Sequence, residues 1–291
     1  MEIISFIGIV AALILIILGS VRGYSLILLS TVAALLVAAT GGVNVFENYA
    51  NVYMGGVANM VLALFPIFLG GQMFGKMLEM SGLPMAVASG VFRKLGPASA
   101  VAAVYLATLA MSVGGIDVFV IIFTMYPLAA AFFKAAGISR SLIPACVLGG
   151  AVAMQTLPGM PINNIVLPAN AFGTTPMAGF WMAIAGFAIV GGGNLWYLHR
   201  AGQKYIAKGE GFIPREGDTD DVDLNTEGLP NPFLLLIPMG IVVLLLNLIH
   251  WPAWAALFIG CVVLALMFWK RYEGFHKIVN TMAEGARTLS L

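Results

Sequence analysis

Nine apolar runs separated by short polar turns make up most of this chain: residues 3–18, 24–39, 60–78, 98–113, 116–133, 143–170, 177–197, 233–248 and 253–269. Crossing the hydrocarbon core of a bilayer takes about 20 such residues, somewhat fewer where the flanks contribute. The pattern therefore predicts membrane helices. All 14 Lys and Arg fall at or beyond the ends of these runs, and one threading collects them on a single side. The first helix starts outside and brings Arg22 inside; the second returns to an outer stretch, 40–59, whose only charge is Glu47. The third delivers Lys76, Arg93 and Lys94 inside, and the next two runs together lead back to Lys134 and Arg140. Run 143–170 exits, 177–197 re-enters, and the last pair turns outside at His250-Trp251-Pro252 and ends inside at Lys270-Arg271. Basic residues are retained in cytoplasmic loops, so the pattern sets both the crossings and their direction. Trp181, Trp251 and Trp254 then fall at the outer interface and Trp196 and Trp269 at the inner one, where amphipathic indoles settle.

Composition agrees. Hydrophobic residues are 60% and charged residues 9%, where a soluble domain carries roughly a quarter of its residues as charges. The expectation is an all-α, multi-pass protein of the cytoplasmic membrane. Its partner is the lipid bilayer, and the net charge of +1 gives nucleic acid nothing to bind. Cys146 and Cys261 lie inside apolar runs and read as packing residues. Glu2 precedes the first run with no basic residue, which predicts a retained helix and not a cleaved signal peptide. The one long polar stretch, 209–231, holds Asp218, Asp220, Asp221 and Asp223 but lacks the glycine and distal glutamate of a calcium loop. It reads as a solvated linker.

That linker separates two related parts. An offset of 229 residues superposes the first helical pair on the last, and Phe46, Asn51, Gly56 and Leu62 on Phe275, Asn280, Gly285 and Leu291. In the threading above the two copies have opposite orientation, as in many secondary transporters. The expected domains are 1–200, a first membrane repeat; 201–231, a cytoplasmic linker; and 232–291, the start of a second, inverted repeat, truncated. Two equal copies would run to about 430 residues, so the chain reads as a fragment. The other reading supplies the second half from another subunit.

Two places interrupt the helical pattern at membrane depth. Ser112-Val-Gly114-Gly115-Ile-Asp117 lies between apolar arms of 16 and 18 residues, which span about 24–27 Å. These arms form either a re-entrant hairpin or a short spanning pair. Asp117 is the only acid within an apolar run. A carboxylate there is costly and commonly serves as a proton or cation site; the alternative places it among the outer headgroups as a helix cap. The second break is Gln155-Thr156-Leu-Pro158-Gly159-Met-Pro161-Ile-Asn163-Asn164. Its prolines remove backbone donors and obstruct the helix, and irregular backbone at this depth requires burial in protein or a cavity to line. Half-helix N-termini bind carboxylates without a basic side chain, and amides and hydroxyls can bond substrate hydroxyls. Gly71-Gln-Met-Phe-Gly75 reads as a small-residue packing face, with Met73, Met77 and Met80 as packing residues and Lys76 and Glu79 as a pair. His199, His250 and His276 show no ligand spacing, and no cofactor or metal is expected.

The stretch Gly70-Gly-Gln-Met-Phe-Gly-Lys-Met-Leu-Glu-Met-Ser-Gly82 resembles a signature of the gluconate permeases, proton-linked carriers of gluconate and related small organic anions. The resemblance continues through Gly-Gly-Ile-Asp117 and Tyr126-Pro127-Leu128 to Leu157-Pro-Gly-Met-Pro161. It implies an ion-transporter-superfamily-like inverted repeat with a re-entrant hairpin over 98–133, a broken helix over 143–170 and a homodimeric, elevator-like assembly. By matching position, Ser112, Gly114, Gly115, Gln155, Thr156, Pro158, Gly159, Asn163 and Asn164 would bind the anion. Asp117 would serve the coupling cation, H⁺ or Na⁺. The family's proline element often contains His, whereas this chain has Met160 there. The leading expectation is a symporter of a small hydroxylated carboxylate. A cation/proton antiporter is the alternative. An intramembrane enzyme is the remote one, since the apolar runs hold no paired carboxylates or Ser/Lys dyad.

Overall fold

The computed structural model describes residues 2–113, 118–213 and 228–287, and among them every regular element is helical. The chain is an all-α membrane protein. Among the described residues, three helices are long and apolar enough to cross a bilayer: Ile3–Val21, Val45–Ser81 and Phe180–Ala207, with mean hydropathies of 2.8, 1.9 and 1.3. Five shorter apolar helices of 10–17 residues accompany them. The chain divides into two compact units, Met1–Phe65 and Pro66–Leu291.

In the first unit, α1 (Glu2–Val21) and α2 (Leu26–Thr40) form a helical pair. A Cβ on Gly8 would run into the Thr40 side chain and one on Gly19 into Leu29, so two glycines set the approach of these helices. Helix α3 (Val45–Asn48) passes through a π turn, Tyr49–Tyr53, into α4 (Met54–Ser81). The hydroxyls of Tyr53 and Ser30 share a hydrogen bond of 2.9 Å, tying the π turn to α2. Ile3, Phe6, Leu13 and Ile17 are exposed, as suits lipid-facing positions. The polar stretch 40–59 was expected as an outer loop; from Val45 onward it is helix, because the π turn absorbs the irregularity without breaking the backbone ladder.

In the second unit, α6 (Ala100–Ser112) is the hub. Val104, Tyr105, Ala107 and Met111 are buried against α5 (Leu83–Leu95), α7 (Val118–Ala136) and α8 (Ile143–Met154). The Tyr105 hydroxyl donates to the Gly191 carbonyl at 3.0 Å, within a second π turn, Ala188–Gly192. That turn joins α10 (Phe180–Phe187) to α11 (Gly193–Ala207), and α9 (Asn163–Phe172) precedes them. A second core packs Phe74, Met77 and Leu78 of α4 against Leu257, Cys261 and Leu264 of α13 (Ala253–Met267), with Val242 of α12 (Leu236–Asn247). Helix α14 (Phe275–Arg287) closes this core through Ile278. Gly70, Gly71, Gln72 and Gly75 are buried, so the small-residue face does pack, as does Met77, while Met80 is exposed. Lys76 pairs with Glu79 at 3.3 Å and approaches Glu284 at 3.9 Å. Helix α5 is a correction to the sequence reading, which took its residues for part of a cytoplasmic loop. Leu83, Ala86 and Ala88 bury one face of it while Arg93 and Lys94 stay exposed on its last turn.

Gly150 tests the packing at the hub. Its Cβ would stand 2.7 Å from the Tyr105 carbonyl and 3.0 Å from the Thr108 Cβ. Gly150→Ala is expected to destabilise the protein by about 1–3 kcal/mol through overpacking. Gly186→Ala, facing open space in α10, should leave the melting temperature unchanged or raised. Thermal unfolding in detergent reads both.

Candidate functional site

The apolar run 143–170 consists of two half-helices. Helix α8 ends at Met154 and α9 begins at Asn163, with an irregular segment of 155–162 between them. Twelve and ten residues of helix are about 18 and 15 Å long, each roughly half a bilayer. Pro158 and Pro161 supply no amide donor, and Gly159 adopts φ +73°, a left-handed conformation that glycine alone tolerates easily. Pro158, Gly159, Pro161 and Ile162 are buried.

The exposed backbone of the break is satisfied from nearby and from afar. The Thr156 hydroxyl donates to the Ala153 carbonyl at 2.7 Å at the end of α8. The Asn164 amide donates to the Gln155 side-chain carbonyl, bridging the break. The Gly159 N–H donates to the Pro176 carbonyl at 3.0 Å. Its own carbonyl accepts from Asn247 Nδ2 at 2.8 Å, and the same amide nitrogen donates to Val243 O at 2.8 Å. A Cβ on Gly159 would meet Met177 Cε at 2.7 Å and Asn247 Nδ2 at 3.0 Å, so residue 159 is fixed on three sides. Asn247 is a participant that the sequence reading passed over. Its signal was there: it is the only polar side chain in run 233–248.

Two acceptors are left over. The Oδ1 atoms of Asn163 and Asn247 are buried with no hydrogen-bond partner among the described residues. Ile162 stands at the N-cap of α9 and offers no side-chain cap, so the first N–H groups of α9 keep their partial positive charge. The end of α6 comes to the same place, where Val113 packs with Met154 and Ile162 on the two sides of the break. Ser112 is buried beside it and donates to the Thr108 carbonyl at 2.9 Å. Gly114, Gly115 and Asp117 lie outside the described residues. The described part therefore joins an uncapped helix start, an unpaired amide oxygen and the last turn of α6 at one buried break. Chemically it offers N–H donors to an anionic group and an amide acceptor to a hydroxyl.

Relatives of this chain include an uncharacterized transporter, YxjC, of Bacillus subtilis, 34% identical over 207 residues. An uncharacterized transporter of Haemophilus influenzae is 26% identical over 199 residues. The aligned stretches cover 70% and 67% of this chain but 44% of each relative, so the match spans less than half of their length. No protein-family profile matches the chain. No solved structure is significantly similar to it.

Asn247→Leu keeps the side-chain size and removes both donors, leaving the Gly159 carbonyl without its partner. The loss is expected to cost about 1–3 kcal/mol. Hydrogen exchange should show faster exchange over 155–163, with α6 and α13 protected as before.

Proposed function

We propose that this chain belongs to a secondary active transporter that carries gluconate or a related small hydroxylated carboxylate together with a proton. The observation behind this reading is the buried break between α8 and α9, where the uncapped start of α9 meets the end of α6. Its similarity to two uncharacterized transporters supports the broader class. The signature over Gly70–Gly82 supports the narrower one.

In this reading the substrate carboxylate sits at the N-terminus of α9, where free N–H groups stabilise negative charge in place of a basic side chain. Substrate hydroxyls donate to Asn163 Oδ1, the acceptor left without a partner. The Thr156 hydroxyl already donates to Ala153 and keeps its lone pairs for a further donor. Gln155 and Asn164 engage each other and so hold the break open to the substrate from either side. Asp117 carries the coupling proton, protonated on the side of higher proton activity and released on the other. The protein works as a homodimer in the cytoplasmic membrane, with its N-terminus outside and its basic loops inside. The matching half of the site would come from an inverted second repeat. In sequence, the 229-residue offset aligns α12 and α13 with α1 and α2, and α14 with residues 46–58.

Uptake of radiolabelled gluconate into membrane vesicles carrying the protein tests the substrate. Asn163→Ala is expected to raise the half-saturating concentration about 5- to 150-fold, the loss of one hydrogen bond in a buried site. Unchanged affinity would show that the break is only a kink. Asp117→Asn tests the coupling: exchange of labelled for unlabelled substrate should persist while accumulation driven by an imposed pH gradient is lost. Accumulation at the wild-type level would remove Asp117 from the coupling step.

A further inference from the structure

Independently of the transport reading, a cleft of about 490 Å³ opens between α5 and the segment 229–233. Ser89, Arg93 and Lys94 line one wall, Asn231 and Phe233 the other. Ser89 and Arg93 are four residues apart and so share a face of α5. Ser89 is only 6% exposed, yet its hydroxyl has no hydrogen-bond partner among the described residues. Serine and threonine hydroxyls inside helices usually return to the carbonyl one turn back, as Thr108 and Ser112 do here. The Ser89 hydroxyl does not. Among the described residues neither Arg93 nor Lys94 enters an ion pair. Asn231 spends its side-chain oxygen on the Phe233 N–H at 3.0 Å, which leaves its amide hydrogens as that wall's polar side-chain donors.

The free side-chain polar groups of the cleft are thus rich in donors: a guanidinium, an ammonium and an amide NH2, beside a hydroxyl that can donate or accept. Among the described lining residues no carboxylate complements this set, which is matched by an anion with several acceptor oxygens. A guanidinium fork beside an ammonium suits a phosphate, whose oxygens accept along several directions at once. The basic pair also complements the C-terminal dipole of α5, but that role leaves the buried hydroxyl unexplained. The rim carries an apolar ring: Phe233 lines the cleft and is 70% exposed. An acyl chain could lie against it.

We infer that the cleft formed by Ser89, Arg93, Lys94 and Asn231 is a binding site for a phosphate-bearing anion, the headgroup phosphate of an acidic phospholipid whose acyl chain lies against the apolar rim. Basic pockets on the cytoplasmic side of membrane proteins recruit such headgroups. The site lies apart from the break at 155–162 in sequence and shares no residue with it.

The full chain, reconstituted in phosphatidylcholine nanodiscs with and without phosphatidylglycerol, tests this. Native mass spectrometry counts retained lipid, and melting curves with added inorganic phosphate probe the soluble source. Wild-type protein should retain phosphatidylglycerol over phosphatidylcholine. Arg93→Gln with Lys94→Gln should weaken that preference about tenfold or more. Ser89→Ala, which breaks no hydrogen bond and should fold normally, is expected to weaken it as well. Stabilisation by inorganic phosphate without lipid selectivity, lost in the same variants, would assign the site to a soluble phosphate. Retention and melting that are the same in wild type and both variants would overturn the site.

Discussion

A peptide group removed from helical geometry in a membrane protein has no water to turn to. It must find its partner within the fold or pay several kcal/mol. The break at 155–162 illustrates how far that constraint reaches. Gly159 sends its N–H to Pro176 and receives Asn247 on its carbonyl, so a loop between two half-helices is held by residues from two other parts of the chain. The same rule operates at the π turn of 188–192, where the Tyr105 hydroxyl, buried in the hub, takes the Gly191 carbonyl. Between α13 and α14, the buried Tyr272 hydroxyl donates to the Met77 carbonyl in α4. In each case a polar side chain from a distant segment answers an irregular or crowded stretch of backbone, and in doing so fixes which helices are neighbours.

Close approach supplies the other half of that fixation. Without a large hydrophobic difference between lipid and helix surface, association depends on contact and on small residues that permit it. Gly150 admits the backbone of α6 at Tyr105, Gly260 admits Phe74 and Val242, and Gly285 lets α14 lie against the backbone of Gln72 and Met73. These glycines lie in helices with ordinary negative φ, so their role is steric and not conformational. Gly159 and Gly82 differ: both have positive φ, and both stand where a side chain would collide, Gly159 with Met177 and Gly82 with the Arg271 guanidinium.

What the sequence disclosed follows the same division. The end of α8 was legible because Pro158 and Pro161 carry their consequence locally, in the missing N–H. The pair Lys76 and Glu79 was legible because three residues along a helix place side chains on one face. Helix α5 was not, since its buried residues are mostly small, with only Leu83 and Pro84 larger than Ala86, Ala88 and Ser89, and its basic end resembles a loop between spans. The continuous helix from Val45 was hidden by Asn48, Asn51, Gly55 and Gly56, which discourage a helix by propensity but are carried by their neighbours and by the π turn. Asn247 was the least legible member of the site. A bond across 88 residues is a property of the packed fold, and nothing in the local pattern reports it beyond a lone amide in an apolar run.

Under the proposed transport function, the leftover atoms of the break narrow what it would accept. A carboxylate brought against Asn163 Oδ1 would meet a lone pair, so that oxygen cannot be the anchor for the charged end of a substrate. In the proposed site the charged end would pair with the N–H groups at the start of α9, and the amide oxygen with a donor. A ligand that satisfies both would carry negative charge at one position and a hydrogen-bond donor, such as a hydroxyl, or a bound cation at another. A hydroxylated carboxylate does so within one molecule, whereas a bare monocarboxylate would leave Asn163 Oδ1 unpaired at a cost of about 1–3 kcal/mol. The orphaned acceptor, more than the helix start, is therefore the feature that would separate hydroxy acids from simple ones.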